Sequence, residues 1–244
     1  MTAQPLPHLT ESVLRPVRGH HAFEACVEQV ATAIRLGVYP LGTMLPPERE
    51  LSDRLEVSRA TVREAIAALR AAGLVQTRRG RGGGSVVTMK PQGPSARTAD
   101  NTTAAQRADW LDALTYRRIV EPGAAALAAS VDLDDQDRAR LEAAHGAVAK
   151  ATSRARHRQA DSRFHLTVAS LSGSPRVVEA VTSVQSSLHE MLSAIPVLQT
   201  NIAHSDAQHA TLTRAVLGGD ADRARRVMEE HCDDTAALLR GLLG

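Results

Sequence analysis

Four residues in the second half of the chain are of types that bind metal ions. Asp161 and His165 are four positions apart, so on a helix both side chains project from one face and can reach a single ion. His209 and His231 each lie in an apolar helical pattern that turns the imidazole inward. Three imidazoles and a carboxylate suit a borderline divalent cation, Zn²⁺ first, with Ni²⁺ or Mn²⁺ as alternatives. Spacing does not establish that the four side chains converge, and the alternative is that they are ordinary surface or core residues.

Two arginines earlier in the chain have a spacing that suits the reading of DNA. Arg59 and Arg63 are about one helical turn apart and follow Ser58, whose hydroxyl suits a helix N-cap. The planar guanidinium of arginine can donate two hydrogen bonds to O6 and N7 of a guanine. The alternative for either arginine is a solvated helix face, with Arg59 paired with Glu56.

The surrounding segment predicts the elements that position these arginines. Residues 45–69 predict a helix that begins near Pro47, a tight turn, and a second helix from about Arg59. The apolar stripe of the second helix consists of Val62, Ile66 and Leu69. The glycine- and arginine-rich ribbon 78–84 lies between apolar ends and predicts a two-stranded wing with a basic tip. The alternative for the ribbon is a flexible basic hairpin.

Residues from about 18 to 88 resemble the DNA-binding domain of the GntR family of bacterial transcription regulators. The resemblance rests on LPPEREL at 45–51, VSR at 57–59 and VREA at 62–65. It implies a winged helix-turn-helix that binds double-stranded DNA. The residues expected to contact DNA are Arg49, Ser58, Arg59, Thr61, Arg63, Arg79 and Gly80.

From residue 104 onward, apolar positions recur at spacings of three and four, with no convincing strand pattern. This part predicts about seven helices, over 104–115, 117–130, 134–150, 154–172, 175–193, 202–218 and 220–241. Asp220, after two glycines, is the expected N-cap of the last helix. The predicted fold class is therefore mainly α, with an N-terminal winged helix-turn-helix followed by an all-helical antiparallel bundle.

Residues from about 106 to 240 resemble the FCD ligand-binding domain of the FadR subgroup of the same family. The resemblance rests on DSRFH at 161–165, on the histidine that precedes TLTRAV at 211–216, and on the histidine that ends ARRVMEEH at 224–231. It implies a divalent metal ion as cofactor. The implied ligands are Asp161, His165, His209 and His231.

The same resemblance implies that Arg117 lines the effector cavity. A guanidinium beside a metal ion suits a small carboxylate, because one carboxylate can ligate the ion and form an ion pair with the guanidinium at the same time. The alternative for Arg117 is an ion pair with Glu121 on the same helix. Two residues depart from the family pattern, since Gln208 replaces a glutamate before the histidine and Ser174 replaces an asparagine after a glycine. Both departures put the identity of the effector in doubt.

Composition and charge divide the chain into domains. We expect a DNA-binding domain at 18–88, a polar linker at 89–104, and a helical effector-binding and dimerisation domain at 105–241. Residues 18–90 contain 11 basic and 7 acidic residues, a net of +4, whereas residues 91–244 contain 17 and 19, a net of −2. The first domain therefore attracts phosphate.

Other sequence features bear on location and redox state. No apolar run reaches the ~20 residues that cross a bilayer, and the N-terminal segment lacks the basic and apolar regions of a signal peptide. We therefore expect a cytoplasmic protein. Cys26 and Cys232 belong to no paired motif and are expected to stay reduced.

These patterns favour a metabolite-responsive DNA-binding regulator, and the resemblance implies a repressor. It is expected to act as a homodimer on a palindromic operator, with its DNA affinity changed by a small carboxylate bound beside the metal ion. One alternative is a purely structural metal in a dimerisation domain. Another is a metal-dependent hydrolase, which is disfavoured because no general base stands out and no His-Glu-x-x-His motif is present. The sequence therefore predicts a protein that is not an enzyme.

Overall fold

The computed structural model describes residues 7–17, 22–78, 80, 83–89, 103–194 and 199–243. It divides the chain into two compact units, Met1–Pro91 and Gln92–Gly244. The first contains α1 (Pro7–Val13), α2 (Ala22–Arg35), α3 (Glu48–Leu55), α4 (Arg59–Ala71), β1 (Val75–Arg78) and β2 (Gly84–Val87). The second contains α5 (Ala104–Ser130), α6 (Asp135–Ala149), α7 (Arg154–Leu171), α8 (Pro175–Ala194), α9 (Gln199–Leu217) and α10 (Ala221–Leu243). Most of the predicted linker at 89–104 lies outside the described residues, so its bounds stay a prediction.

The first unit contains the predicted helix-turn-helix. α3 begins directly after Pro47, and Glu48 and Glu50 lie in its first turn, where the helix dipole favours acidic side chains. α4 packs against both α2 and α3. The buried apolar residues of α3 and α4 include Leu51, Leu55, Val62, Ile66 and Leu69. Burial of this shared face fixes which side of α4 remains outward.

The turn between α3 and α4 is set by two residues. Glu56 ends α3 in the left-handed conformation, with φ of 51°, and its N–H donates to the carbonyl of Ser52. Ser58 then begins α4, because its Oγ accepts a hydrogen bond from the Thr61 N–H at 3.0 Å. The predicted N-cap is confirmed, and Arg59 becomes the first residue of α4.

The wing is a two-stranded antiparallel sheet. β1 and β2 pair with Val75 opposite Val87 and Arg78 opposite Gly84. Val75 and Val87 are buried, whereas the rest of β1 is exposed. The N–H of Leu45 donates to the Ser85 carbonyl at 2.8 Å, so the segment before α3 is tied to β2. The sequence prediction of paired strands is confirmed. Residues 79, 81 and 82 at the tip lie outside the described residues.

An N-terminal helix that the sequence did not predict packs on the same unit. Leu9, Val13 and Leu14 are buried on and just after α1. The N–H of Val17 donates to the carbonyl of Leu55 at 2.7 Å, which attaches this segment to the end of α3. Residues 7–17 therefore contribute to the core of the helix-turn-helix.

The bundle contains six helices within its described residues, because α5 is continuous where two helices were expected, at 104–115 and 117–130. The prediction of a break near residue 116 was wrong. Trp110, Leu114, Arg117 and Glu121 are all buried at spacings of four, three and four, so one buried face continues through the expected gap. Two of those positions are charged, which is why the apolar pattern seemed to stop. Pro122 lies inside α5 and is itself buried.

The bundle core is aliphatic and centres on α7. This helix contacts α5, α6 and α8, and most of its residues from 158 to 171 are buried. The largest core cluster includes Leu141, Phe164, Val168, Leu212 and Met228. Asp220 caps the last helix as expected, since its Oδ1 accepts from the Arg223 N–H at 3.0 Å. The histidines that the sequence singled out project into this packed interior from three different helices.

The described helices differ from membrane-spanning helices in length or in composition. None of them combines the length and the continuous apolar character that a bilayer span requires.

Candidate metal centre and DNA-reading surface

The two predicted reading arginines lie on the exposed side of α4. Arg59 and Arg63 are both exposed, opposite the buried Val62 and Ile66. Arg63 Nε lies 3.9 Å from Glu48 Oε2, and both side chains are about half exposed or more, so this contact is weak and readily given up. Arg59 forms no ion pair with Glu56 or with any other residue that the structure describes. Both guanidinium groups are therefore available to nucleic acid.

The other predicted contacts at this end of α4 are partly used within the fold. The hydroxyls of Ser58 and Thr61 lie 2.9 Å apart, and Ser58 also caps the helix. Their position at a helix N-terminus still places backbone N–H groups and the positive end of the helix dipole toward a phosphate. Arg49 is exposed near the start of α3.

At the wing, Gly80 is exposed and has φ of 101°, a conformation that side-chain-bearing residues rarely adopt. The predicted contact Arg79 lies outside the described residues, so it stays a prediction. Arg78, which belongs to the basic ribbon that the sequence predicted as a wing, is exposed at the end of β1. It is a further cation on the same hairpin.

The three predicted histidine ligands converge in the bundle. His165 on α7, His209 on α9 and His231 on α10 are 1%, 0% and 4% exposed, and each offers a ring nitrogen within 4.8 Å of the others. Asp161 lies one turn before His165, and its Oδ1 is 3.6 Å from His209 Nε2. Sequence spacing could not show this convergence, because it depends on how three helices pack.

The histidines fit a divalent cation. Neither ring nitrogen of His209, nor Nε2 of His165, has a hydrogen-bond partner among the described residues. Buried polar atoms are nearly always satisfied, and one unpartnered nitrogen on each of these two rings suits a bond to a cation. Ligand bonds of about 2.0–2.1 Å in a tetrahedral zinc site place neighbouring ligand atoms about 3.3 Å apart. The 3.6 Å between His209 Nε2 and Asp161 Oδ1 is close to that separation.

Electrostatics keep two of the imidazoles in the form that binds metal. Burial, with the neighbouring imidazoles and Arg117 as further causes, holds the pKa of His209 and of His231 well below the usual histidine value. Both rings are therefore neutral near pH 7, with a lone pair on one nitrogen.

Comparison with known proteins decides the family. Residues 24–84 match the domain described as bacterial regulatory proteins, gntR family, and residues 112–234 match the FCD domain. The chain belongs to the GntR family. It is a transcriptional regulator with a DNA-binding helix-turn-helix domain and an FCD effector-binding domain.

Relatives of this GntR regulator span most of its length. The HTH-type transcriptional regulator RmpR of Mycobacterium gastri is 32% identical over 85% of this chain and 76% of its own. The Exu regulon transcriptional regulator of Escherichia coli K12 is 28% identical over 84% of this chain and 80% of its own. The transcriptional repressor NanR of Klebsiella aerogenes is 27% identical over 93% and 89%.

A solved structure shows the same fold. The E. coli protein McbR/YncC superposes with a TM-score of 0.54 at 17% identity, over 91% of this chain and 99% of its own. At that identity the likeness speaks for the fold alone.

A carboxylate that sequence reasoning did not assign to the site lies at the centre of this GntR regulator's bundle. Glu121 Oε2 is 3.0 Å from Arg117 Nε and also 3.0 Å from His165 Nδ1, although the latter contact is not aligned as a hydrogen bond. Its Oε1 accepts a hydrogen bond from Gln185 Nε2 at 2.6 Å. Burial acts to raise the pKa of Glu121, but Arg117 and His165 outweigh it and hold the pKa well below the usual range. Glu121 is therefore an anion inside the bundle.

Arg117 forms the ion pair that the sequence offered as the alternative, whereas its place in an effector cavity stays a prediction. It pairs with Glu121 as the alternative proposed, while its Nη1 is buried without a hydrogen-bond partner among the described residues. Burial acts to lower the pKa of Arg117, but the Glu121 carboxylate outweighs burial and raises it, so the group is always charged. Two further buried polar atoms without described partners are Gln185 Oε1 and Thr213 Oγ1. These atoms could orient a bound polar molecule.

The two residues that depart from the family pattern, Ser174 and Gln208, differ in whether they contact the candidate metal centre. Ser174 lies at the start of α8, where its Oγ accepts from the Val177 N–H at 3.4 Å. Gln208 contacts the candidate metal centre directly, because its Oε1 is 3.0 Å from His231 Nδ1. From the sequence, Glu121 was predicted only as an alternative ion-pair partner of Arg117, and Gln208 was noted only as a departure from the family pattern, so neither was assigned to the metal centre.

Proposed function

We propose that this regulator represses transcription from a palindromic operator, and that a small carboxylate bound beside a divalent metal ion in the bundle changes its operator affinity. The observation that carries the proposal is the convergence of three buried imidazoles, next to a buried guanidinium. Ring nitrogens of His165 and His209, and Nη1 of Arg117, have no hydrogen-bond partner among the described residues. Zn²⁺ is the first choice of ion, with Ni²⁺ and Mn²⁺ as alternatives. We also propose that the protein belongs to the FadR subgroup, which the match of residues 112–234 to the FCD domain supports.

Formal charge supports a carboxylate as the effector. A divalent cation together with Arg117, Asp161 and Glu121 gives the centre a net charge of +1. Buried charge is costly unless it is paired, so a single carboxylate would bring the loaded centre to neutrality. The free Nη1 of Arg117 offers a charge-assisted hydrogen bond to the same group.

Sensing further requires that the four protein ligands leave room on the ion. A four-coordinate zinc site with four protein ligands is closed, as in structural sites, whereas a fifth or sixth position admits a ligand. When bound, the ion supplies a positive coordination point for a carboxylate oxygen. A purely structural metal is the alternative, and it corresponds to the closed case.

Operator binding with and without effector tests the proposal. We expect metal-loaded protein to bind its operator with an affinity that changes about 5–150-fold when a particular small carboxylic acid saturates it, a usual range for allosteric coupling. Thermal shift over a panel of such acids identifies the compound, and fluorescence anisotropy with operator DNA measures the coupling. If an acid raises the melting temperature but leaves operator affinity unchanged, the proposed allosteric effect is wrong.

Removal of the metal separates a sensor from a structural site. We expect chelated protein to keep its helical circular dichroism and its operator binding, but to lose the thermal shift with the carboxylic acid. Loss of the helical signal on chelation would instead assign the ion to stability alone. A hydrolase remains disfavoured, since the three relatives named above are transcriptional regulators. The name of the Klebsiella relative, a repressor, supports the proposed sign of regulation.

An exposed apolar face on α5 supports the homodimer. Leu111, Tyr116, Ile119 and Leu127 are between 40% and 70% exposed, and Ile119 is the most exposed of them. Gly123 lies one turn beyond Ile119, and a Cβ added there would meet nothing within 4 Å. If two copies of α5 pair antiparallel across a twofold axis, Ile119 of each copy would pack over Gly123 of the other. The face is therefore complementary to itself. One recognition helix reads only a few base pairs, so a palindrome requires the second copy.

Ile119→Asp is therefore expected to weaken dimerisation by about 100-fold or more. The twofold axis would bury two unpaired carboxylates, each at a cost of about 2 kcal/mol or more. Sedimentation equilibrium gives the dissociation constant, and operator affinity should fall with it. Ala143→Asp, at an exposed position of α6, is the matched control and should leave the dimer intact. A dimer that tolerates Ile119→Asp must use another face.

A further inference from the structure

The side chain of Gln208 joins the candidate metal centre to an exposed histidine and an exposed aspartate. Its Oε1 lies 3.0 Å from His231 Nδ1, and its Nε2 donates to Asp234 Oδ2 at 2.7 Å. The same Asp234 oxygen lies 2.8 Å from His204 Nε2. His204 and Asp234 are 63% and 55% exposed, whereas His231 is buried. The network therefore runs from solvent to one imidazole of the centre.

The direction of the hydrogen bonds in this network follows from Asp234. A carboxylate accepts hydrogen bonds and donates none at neutral pH. The end of the Gln208 amide that faces Asp234 must therefore be its NH₂ group, which leaves the carbonyl oxygen to face His231. Because that oxygen only accepts, the proton of the neutral imidazole must be on Nδ1 of His231. The lone pair is then on Nε2.

We propose that Gln208, held by Asp234, is a positioning residue that fixes the tautomer of His231 and so presents Nε2 to the metal ion. This inference rests on the proposed metal centre for its effect on binding, but the tautomer is a property of the metal-free protein. Outer hydrogen-bond partners of this kind orient a ligating imidazole and typically change metal affinity about 10–100-fold when removed.

Two of the imidazoles in the candidate metal centre have different groups beside their Nδ1 atoms. A carboxylate, Glu121, lies beside Nδ1 of His165, whereas a neutral amide serves His231. An amide oxygen accepts a weaker hydrogen bond from an imidazole N–H than a carboxylate does. It therefore adds less electron density to the opposite ring nitrogen, which becomes a weaker metal ligand. His231 is therefore the ligand whose binding strength depends on Gln208, and the amide lowers the metal affinity below what a carboxylate there would give.

Nitrogen-15 NMR of the metal-free protein tests the tautomer. We expect the ring nitrogens of His231 in the unsubstituted chain to show the proton on Nδ1. Gln208→Met keeps the length of the side chain but removes its acceptor, and it should shift His231 toward the other tautomer or a mixture. Gln136→Met, at an exposed position of α6, is the matched control and should leave the His231 signals unchanged. A proton on Nε2 in the unsubstituted chain would overturn the assignment.

Metal affinity, measured by competition with a chromophoric chelator for Zn²⁺, tests the consequence. We expect Gln208→Met to bind Zn²⁺ about 10–100-fold more weakly, with the helical circular dichroism unchanged. Asp234→Leu should weaken binding less, because the amide can still turn its oxygen to His231 part of the time. If Asp234 acts only through Gln208, the double variant should match Gln208→Met alone.

A double variant that exchanges the amide of Gln208 and the carboxylate of Asp234 tests whether Zn²⁺ affinity is retained. Gln208→Glu combined with Asp234→Asn exchanges carboxylate and amide while keeping an acceptor toward His231. It should retain the Nδ1 proton and bind Zn²⁺ at least as tightly as the unsubstituted chain. Unchanged Zn²⁺ affinity in Gln208→Met would overturn the positioning role. A chain that binds no Zn²⁺ yet shows the expected tautomers would instead count against the proposed metal centre alone.

Discussion

Replacement of Arg63 by alanine is expected to lower affinity for the operator by about 5–150-fold, and far less for unrelated DNA. A bidentate arginine contact to guanine contributes about 1–3 kcal/mol of discrimination, which corresponds to that range. The structure leaves the guanidinium exposed on α4 with only a 3.9 Å contact to Glu48. Little is lost within the protein when this contact is given up, so most of the effect should appear in DNA binding.

Competition between operator and nonspecific DNA, measured by fluorescence anisotropy at several salt concentrations, separates base reading from phosphate contact. Loss of a base contact narrows the ratio between the two affinities, whereas loss of a phosphate contact weakens both alike and flattens the salt dependence. Arg59→Ala should behave in the same way as Arg63→Ala. Arg70→Ala is the matched control, because Arg70 is exposed in the last turn of the same helix, away from the end that enters a groove. If Arg63→Ala retains full sequence preference, α4 reads DNA with other residues.

The winged helix-turn-helix could be predicted closely because its signals are local. The N-cap at Ser58, the stripe of Val62 and Ile66, and the strand pairing of Val75 with Val87 each depend on residues a few positions apart or on one short hairpin. Local hydrogen bonding and helical periodicity are what a sequence records most directly. The left-handed Glu56 was not predicted, since a glycine or asparagine is the usual residue there.

The bundle was harder to predict at the points where charge is buried. Arg117 and Glu121 are each 1% exposed, and they neutralise one another inside α5. A sequence pattern treats such residues as solvent-facing, so it ended one helix where the structure continues it. The contact of Glu121 with His165 was not predicted for the same reason. A buried ion pair is visible only when the neighbouring helices that exclude water are known.

The candidate metal centre could be predicted in part from local spacing. The step from Asp161 to His165 is local and was predicted from spacing, whereas the approach of His209 and His231 is set by the packing of α9 and α10. The resemblance to the FCD domain, and not the spacing, predicted that His209 and His231 join Asp161 and His165 in one site. Gln208 was noted only as a departure from that pattern, and its contact with His231 follows from the register of the two helices.

His209→Leu is expected to have opposite effects on the metal-free and the metal-loaded protein. His209 is fully buried, and neither of its nitrogens has a described hydrogen-bond partner. Leucine removes two unsatisfied polar atoms, each of which costs about 1–3 kcal/mol, so the metal-free variant should be as stable as the unsubstituted chain or more stable. The variant also lacks the imidazole that faces Asp161, so Zn²⁺ binding should weaken by more than the roughly 100-fold expected for an outer partner.

Urea unfolding with and without Zn²⁺ measures both effects at once. At a free Zn²⁺ concentration about 100 times the dissociation constant, the unsubstituted chain should gain about 2.7 kcal/mol of stability, and His209→Leu should gain almost none. His145→Leu is the matched control, since His145 lies in the same bundle, on α6, outside the converging set. A full Zn²⁺-dependent gain in His209→Leu would place the ion elsewhere. A metal-free variant that is several kcal/mol less stable would show that the imidazole has a structural partner, and its orphaned nitrogens would then no longer argue for a cation.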